Sequence, residues 1–180
     1  MSKLIRCSSI IFFCSIISIA VSAQEAIKPR KSPLAIVTMK YENTYVKVTY
    51  GQPHKRGRKI FGGLEKFGEV WRTGANEATE MTITNDIIIQ SDTLQAGTYS
   101  LFTIPQKTEW TIIINKQLGQ WGAYNYHEPS DVLRVNVPVV KIEEVIFEPF
   151  TISFEQKNNI ADMQLMWDDV KVVIPIRFID

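Results

Sequence analysis

The sequence is poor in the residues that stabilise small domains by covalent or metal cross-links. It holds 2 cysteines and 2 histidines among 180 residues, and both cysteines, Cys7 and Cys14, lie within the first 23 residues. A disulfide framework is therefore excluded for the rest of the chain, which must depend on a hydrophobic core. A metal site would need His54, His127 and a carboxylate such as Glu128, and no metal-ligand spacing connects them. We predict neither a metal nor a cofactor.

Neither basic nor acidic residues are in excess in this sequence. The chain has 20 basic and 19 acidic residues, for a net charge of +1. The basic run HKRGRK at residues 54–59 is local, and such runs are usually solvated loops. We therefore predict no nucleic-acid partner.

The one long apolar run stands at the N-terminus. Lys3 and Arg6 precede the uncharged stretch SSIIFFCSIISIAVSA, in which Val21 and Ala23 are small residues suited to a cleavage site. This layout is typical of a secretory signal peptide over residues 1–23, and the run is shorter than the roughly 20 residues that span a bilayer. The pattern predicts export to the periplasm or the medium, with no stable membrane insertion after cleavage.

Short strands with alternating apolar residues dominate the rest of the chain. Residues 24–33 are predicted to be a flexible leader, and residues 34–180 a single domain. The stretches AIVTMKY at 35–41, YVKVTY at 45–50 and VLRVNVPVV at 132–140 each place their apolar side chains on one face. About ten such strands predict an all-β fold, an antiparallel β-sandwich of jelly-roll or Greek-key type.

Three local patterns add detail to this fold. In LQAGTY, the spacing that ends at Tyr99 predicts a tyrosine corner. Asn85 and Asp86 separate MTIT from IIIQ and predict a hairpin turn. Pro138 and Pro175 cannot donate to a strand ladder, so we expect their strands to be edges or to carry bulges.

One connection, residues 51–80, is far longer than an ordinary loop. Within it, Leu64, Phe67, Val70 and Trp71 recur at helical spacing. The spacing predicts a short helical turn whose apolar side covers the core.

Two blocks of the sequence resemble a known family. GRKIFGGLEKFGEVWRTGANEAT and LQAGTYSLFTIPQKTEWTIIINKQLGQWGAY are similar to the hallmark blocks of domain of unknown function 2911, found in exported proteins of mainly Bacteroidetes-type bacteria. The likeness runs from about Ser32 to Phe178. It implies export and a single domain, and it brings no active-site residue to map onto this chain.

The stretch VWRTGANEAT, residues 70–79, has two interpretations. In the structural one, Arg72 pairs with Glu77, Asn76 caps a turn and Gly74 supplies an unusual backbone conformation. In the functional one, arginine and amide groups donate hydrogen bonds to a small polar, anionic or carbohydrate ligand, and a tryptophan stacks on it. The candidate ligand-binding residues are Arg58, Trp71, Arg72, Asn76, Glu77, Trp121 and Tyr124.

A count of alternating strands predicts that the loop 116–131 meets the long connection at one end of the sandwich. We therefore predict a non-catalytic binding or envelope-associated module with no assigned catalytic residue. The alternative is a hydrolase acting on glycans or other polar envelope compounds. Glu65, Glu69 and Glu77 would supply its carboxylates, with Glu77 as acid or base.

Overall fold

The computed structural model describes residues 28–179. The predicted signal peptide, the first residues of the predicted leader and Asp180 lie outside this range. All strand pairs are antiparallel, which confirms the predicted all-β antiparallel fold. The strands are β1 (Leu34–Tyr41), β2 (Thr44–Gly51), β3 (Thr79–Ile83), β4 (Ile87–Ile89), β5 (Asp92–Leu94), β6 (Gly97–Pro105), β7 (Glu109–Asn115), β8 (Asp131–Lys141), β9 (Phe147–Lys157), β10 (Ile160–Asp168) and β11 (Val170–Phe178).

The strands form two layers that are continuous with each other. Their order is β1-β2-β3-β6-β7-β8-β11-β10-β9, and β1 returns to lie beside β9. The joint is β8, which pairs with β7 along residues 131–138 and with β11 along residues 139–141. The predicted sandwich is therefore close to a closed barrel, with one core between its layers.

The predicted hairpin at Asn85 and Asp86 is wrong. β3 pairs with β2 and β6, whereas β4 pairs with β11 and β5 in the other layer. The two residues are exposed and carry the chain from one layer to the other, and Asp86 Oδ1 accepts a hydrogen bond from the N–H of Ala96 at 2.8 Å. Alternation along a strand shows which face is buried, but it does not show which strand lies alongside.

The tyrosine corner is confirmed. The hydroxyl of Tyr99 donates to the carbonyl oxygen of Gln95 at 2.9 Å. Tyr99 itself is buried at the start of β6, where Gly97 allows the ring to fold back on the chain. The spacing of these residues was sufficient to predict the bond because all of the partners are local in sequence.

The two prolines lie in strands that are interior to the sheet. β8 carries a bulge, as expected, but at Val132, where its register with β7 shifts, and not at Pro138. β11 is neither an edge nor shifted in register, so the expectation is wrong for Pro175. Pro138 stands where β8 changes its partner from β7 to β11. Pro175 pairs with Asp162 of β10, and on its other side β11 has no partner along residues 173–175, between its contacts with β8 and β4. A missing N–H is tolerated at both positions because the ladder is interrupted there.

The connection between β2 and β3 contains turns and isolated bridges, and the predicted helical turn within it is wrong. Gly62 and Gly68 adopt φ of 73° and 80°, which a right-handed helix does not contain. Within residues 28–179, helical geometry is limited to a 3-10 turn at Glu128–Ser130. The backbone of the long connection instead pairs with β9 at His54 and Pro149 and with β6 at Trp71 and Thr103.

Candidate functional site

Trp71, a candidate for stacking on a ligand, lies in the core. It is 3% exposed, its ring stacks on Trp167 with centroids 5.8 Å apart, and it meets Trp110 edge-on at 6.0 Å. Its indole N–H donates to the carbonyl oxygen of Gly74 at 3.0 Å. The ring therefore stabilises the fold and presents no surface for a ligand.

The predicted ion pair between Arg72 and Glu77 does not form. Both carboxylate oxygens of Glu77 instead accept hydrogen bonds from Nη1 of Arg30, each at 2.8 Å. The pKa of Glu77 lies below its ordinary value, first because its own backbone N–H donates to the carboxylate and then because Arg30 does. Glu77 is therefore ionised at neutral pH and cannot serve there as a general acid.

The charge of Arg72 acts on a different carboxyl, that of Glu65. Burial raises the pKa of Glu65 from 4.5 to about 7, and the guanidinium groups of Arg72 and Arg58 oppose part of that rise. Nε of Arg72 is buried and has no hydrogen-bond partner among residues 28–179. Arg58 donates to the carbonyl oxygens of Lys55 and His54, at 3.0 and 2.6 Å, and so stabilises its own turn.

The backbone of residues 72–77 differs from the prediction for Gly74. The residues at positive φ are Thr73 at 55° and Asn76 at 64°. Gly74 is required for a close approach, because a Cβ there would lie 2.9 Å from the carbonyl oxygen of Gly51. The amide of Asn76 does not cap this turn, and it donates to the carbonyl oxygen of Ser32 at 3.3 Å.

The loop 116–131 does meet the long connection. The N–H of Ala78 donates to the carbonyl oxygen of Gln120 at 2.8 Å, and the N–H of Gly122 donates to that of Asn76 at 2.9 Å. These two bonds hold the backbone on both sides of Trp121, which forms an isolated bridge with Glu77.

The route by which the loop arrives differs from the predicted one. β7 runs antiparallel to β2, whereas the strand count predicted that these two strands run in the same direction. The count omitted the short strand β5, and one additional strand reverses the predicted direction of β7. The loop therefore leaves β7 at the far end and folds back over the outer face of β6 and β7. There Tyr126 packs on the buried ring of Phe102, with centroids 5.1 Å apart.

The leader contributes to the same surface. The side chain of Arg30 binds Glu77, and the carbonyl oxygen of Lys31 accepts a hydrogen bond from Nη2 of Arg56 at 2.6 Å. An open hollow of about 320 Å³, the leader–loop hollow, lies between the leader and the loop. It is lined by Arg30, Lys31, Ser32, Asn76 and Trp121.

The structure thus brings only part of the predicted site together. Asn76 and Trp121 share the leader–loop hollow, and Glu77 is connected to it through Arg30. Tyr124 is 84% exposed but does not line the hollow. Sequence reasoning missed Arg30 and Lys31, since a charged stretch before the first strand carries no periodic signal.

The two histidines contact different parts of the chain. His54 forms an isolated bridge with Pro149, and Nδ1 of His127 lies 3.1 Å from Oγ of Ser130. Across residues 28–179, no three His, Cys, Asp or Glu side chains are grouped as metal ligands would be.

A comparison with models of known protein families identifies the family of this chain. The model of the family described as "Protein of unknown function (DUF2911)" matches residues 32–176. The chain belongs to this family. No curated protein and no solved structure matches it.

The DUF2911 match spans the barrel from just before β1 to near the end of β11. It includes Asn76 and Trp121, whereas Arg30 and Lys31 precede it. The lining of the leader–loop hollow therefore combines residues of the DUF2911 domain with two residues that precede the domain in the chain. In the part of the chain that the structure describes, no helix has the length and apolar character needed to cross a membrane.

Proposed function

We propose that this protein is an exported, non-catalytic binding module that takes a carbohydrate ligand, preferentially an acidic one, in the leader–loop hollow. The observation that carries the proposal is the setting of Trp121. Its side chain is 59% exposed although hydrogen bonds at Gln120 and Gly122 fix the backbone on either side. An exposed tryptophan on a loop whose backbone is fixed to a rigid scaffold is the kind of position at which binding residues concentrate.

The neighbours of Trp121 suit a polyhydroxyl ligand with negative charge. An aromatic face contacts the C–H groups of a sugar ring, and the amide of Asn76 offers both a donor and an acceptor for hydroxyl groups. Lys31 adds positive charge to the same hollow and forms no ion pair within residues 28–179, whereas the charge of Arg30 is neutralised by Glu77. The ammonium group of Lys31 suits the carboxylate of an acidic sugar.

The hydrolase alternative has no comparable support. Its acid or base was Glu77, which is ion-paired with Arg30 and has a lowered pKa. Glycoside hydrolysis needs a protonated carboxyl beside the leaving oxygen and a second carboxylate facing it. Glu65 has a pKa raised to about 7, but it does not line the leader–loop hollow. We therefore propose binding without catalysis.

Calorimetric titration with a neutral oligosaccharide and with a uronic acid oligosaccharide of equal length tests the proposal. We expect the acidic one to bind more tightly, and Trp121→Ala to weaken its binding by about tenfold or more, which is about 1.4 kcal/mol. Leu118→Ala is the matched control, because Leu118 is 48% exposed in the same loop and does not line the hollow. Failure of both sugars to bind at millimolar concentration, or equal losses in the two variants, would refute the proposal.

Export is tested separately. We expect the protein recovered outside the cytoplasm of its expression host to begin at or near Gln24, as read by N-terminal sequencing or intact mass. Recovery only of the full-length chain, inside the cells, would contradict export while leaving the binding proposal intact.

A further inference from the structure

A second hollow, of about 440 Å³, lies on another part of the barrel and has a different character. We call it the mouth hollow. It forms where the β6–β7 turn, the β10–β11 turn and the end of β8 meet residues 59–67 of the long connection. Its volume falls within the range of about 300–1,000 Å³ that is usual for sites that bind small molecules.

The floor of the mouth hollow is apolar and aromatic. Ile60 and Trp110 line it and are almost fully buried beneath it, at 0% and 1% exposed. Phe61, also in the lining, meets Trp110 at a centroid distance of 4.8 Å, and both rings belong to the packed aromatic group around Trp71. The floor is therefore rigid, as a preformed binding site requires.

The rim carries positive charge that the protein does not neutralise. Its two acidic residues are already paired, Asp168 with Lys55 at 2.5 Å and Asp169 with Lys141 at 2.7 Å. The remaining rim cations are Lys59 and Lys107, both exposed.

Neither of these two lysines forms an ion pair within residues 28–179. An unpaired ammonium group beside an apolar floor favours a ligand whose anionic group stays in solvent while its apolar body is buried.

We propose that the mouth hollow binds a small organic carboxylate with an aromatic or medium-length aliphatic body. The carboxylate lies between Lys59 and Lys107. The body packs on Phe61, Phe67 and Val139, the half-buried apolar side chains of the lining. This site shares no residue with the leader–loop hollow, so it holds or fails independently of the proposed carbohydrate binding.

Naphthoate is a suitable probe, and naphthalenemethanol is its uncharged counterpart. We expect naphthoate to bind in calorimetric titration, to change the tryptophan fluorescence because Trp110 lines the site, and to bind more weakly as salt is added. Naphthalenemethanol should bind about tenfold more weakly, since it keeps the apolar contact and lacks the charge.

Paired lysine variants locate the bound carboxylate. The double variant Lys59→Gln with Lys107→Gln should weaken naphthoate binding by about tenfold or more. The double variant Lys116→Gln with Lys157→Gln removes the same charge from positions that do not line the hollow, and it should bind as wild type does.

Two single variants distinguish the mouth hollow from the leader–loop hollow. Val139→Phe, which fills the mouth hollow from β8, should abolish naphthoate binding, with its near-UV circular dichroism showing that the fold is retained. Trp121→Ala, in the leader–loop hollow, should leave naphthoate binding unchanged. The inference is overturned by absence of binding at millimolar naphthoate, or by wild-type affinity in the Lys59 and Lys107 double variant.

Discussion

Glu65→Gln should stabilise the protein at alkaline pH and leave it almost unchanged in mild acid. Burial raises the pKa of Glu65 from 4.5 to about 7, so the folded protein binds a proton there more tightly than the unfolded chain does. Stability from this group is therefore complete below pH 4.5, falls as the pH rises, and is lost above about pH 7. Glutamine resembles the protonated carboxyl at every pH and does not carry that cost.

The size of the effect follows from the pKa. At about 1.4 kcal/mol per pKa unit, a rise from 4.5 to about 7 corresponds to roughly 3 kcal/mol in the free energy of unfolding. Glu65 keeps some solvent exposure, which screens its charge, so we expect about 2 kcal/mol. The variant should thus exceed wild type by about 2 kcal/mol near pH 8 and by under about 1 kcal/mol near pH 5.

Urea denaturation followed by tryptophan fluorescence, at several pH values between about 5 and 8, measures the difference. Subtracting wild type from variant removes the contribution of every other titrating group. Glu69→Gln is the matched control, because the side chain of Glu69 is 65% exposed in the same connection and pairs with Lys66 at 3.5 Å. Its effect should stay within about 0.5 kcal/mol at each pH. A Glu65→Gln difference that does not change with pH would refute the assigned burial.

Three other substitutions test separate features. Arg72→Gln should raise the pKa of the neighbouring buried carboxyl above about 7, because the guanidinium favours its ionised form, and a carboxyl NMR titration that shows no rise would contradict this. Gly51→Ala should cost at least about 2 kcal/mol, since a Cβ would overlap the carbonyl oxygen of Ala75, and an unchanged denaturation midpoint would exclude that contact. Tyr50→Phe should cost about 1–3 kcal/mol, because its hydroxyl accepts the buried N–H of Ile152 at 3.1 Å, and a neutral result would mean that this N–H has another partner.

Local patterns were reliable where all of the interacting residues are close in sequence. The alternation in YVKVTY predicts a strand whose Val46, Val48 and Tyr50 face the core, and these three residues are at most 4% exposed. The tyrosine corner is correct for the same reason. Period-2 alternation and turn chemistry act over a few residues, so the sequence carries them directly.

The candidate site was only partly predictable, because its groups come from three distant stretches. VWRTGANEAT correctly marked an unusual segment, and Asn76 does lie beside Trp121. The sequence did not show that Arg30 would bind Glu77, which is 47 residues away. Ion-pair partners are chosen by the folded geometry, and any of several nearby carboxylates satisfied the local pattern around Arg72.

The sequence by itself determined that this chain forms antiparallel strands with one buried face each, because that information lies in the spacing of apolar residues. Only the tertiary structure decided that β4 crosses to the second layer and that Trp71 points into the core. The burial of Glu65 was decided in the same way. The physical reason is that a strand's partner, and the solvation of a side chain in a long connection, depend on contacts with residues far away in sequence.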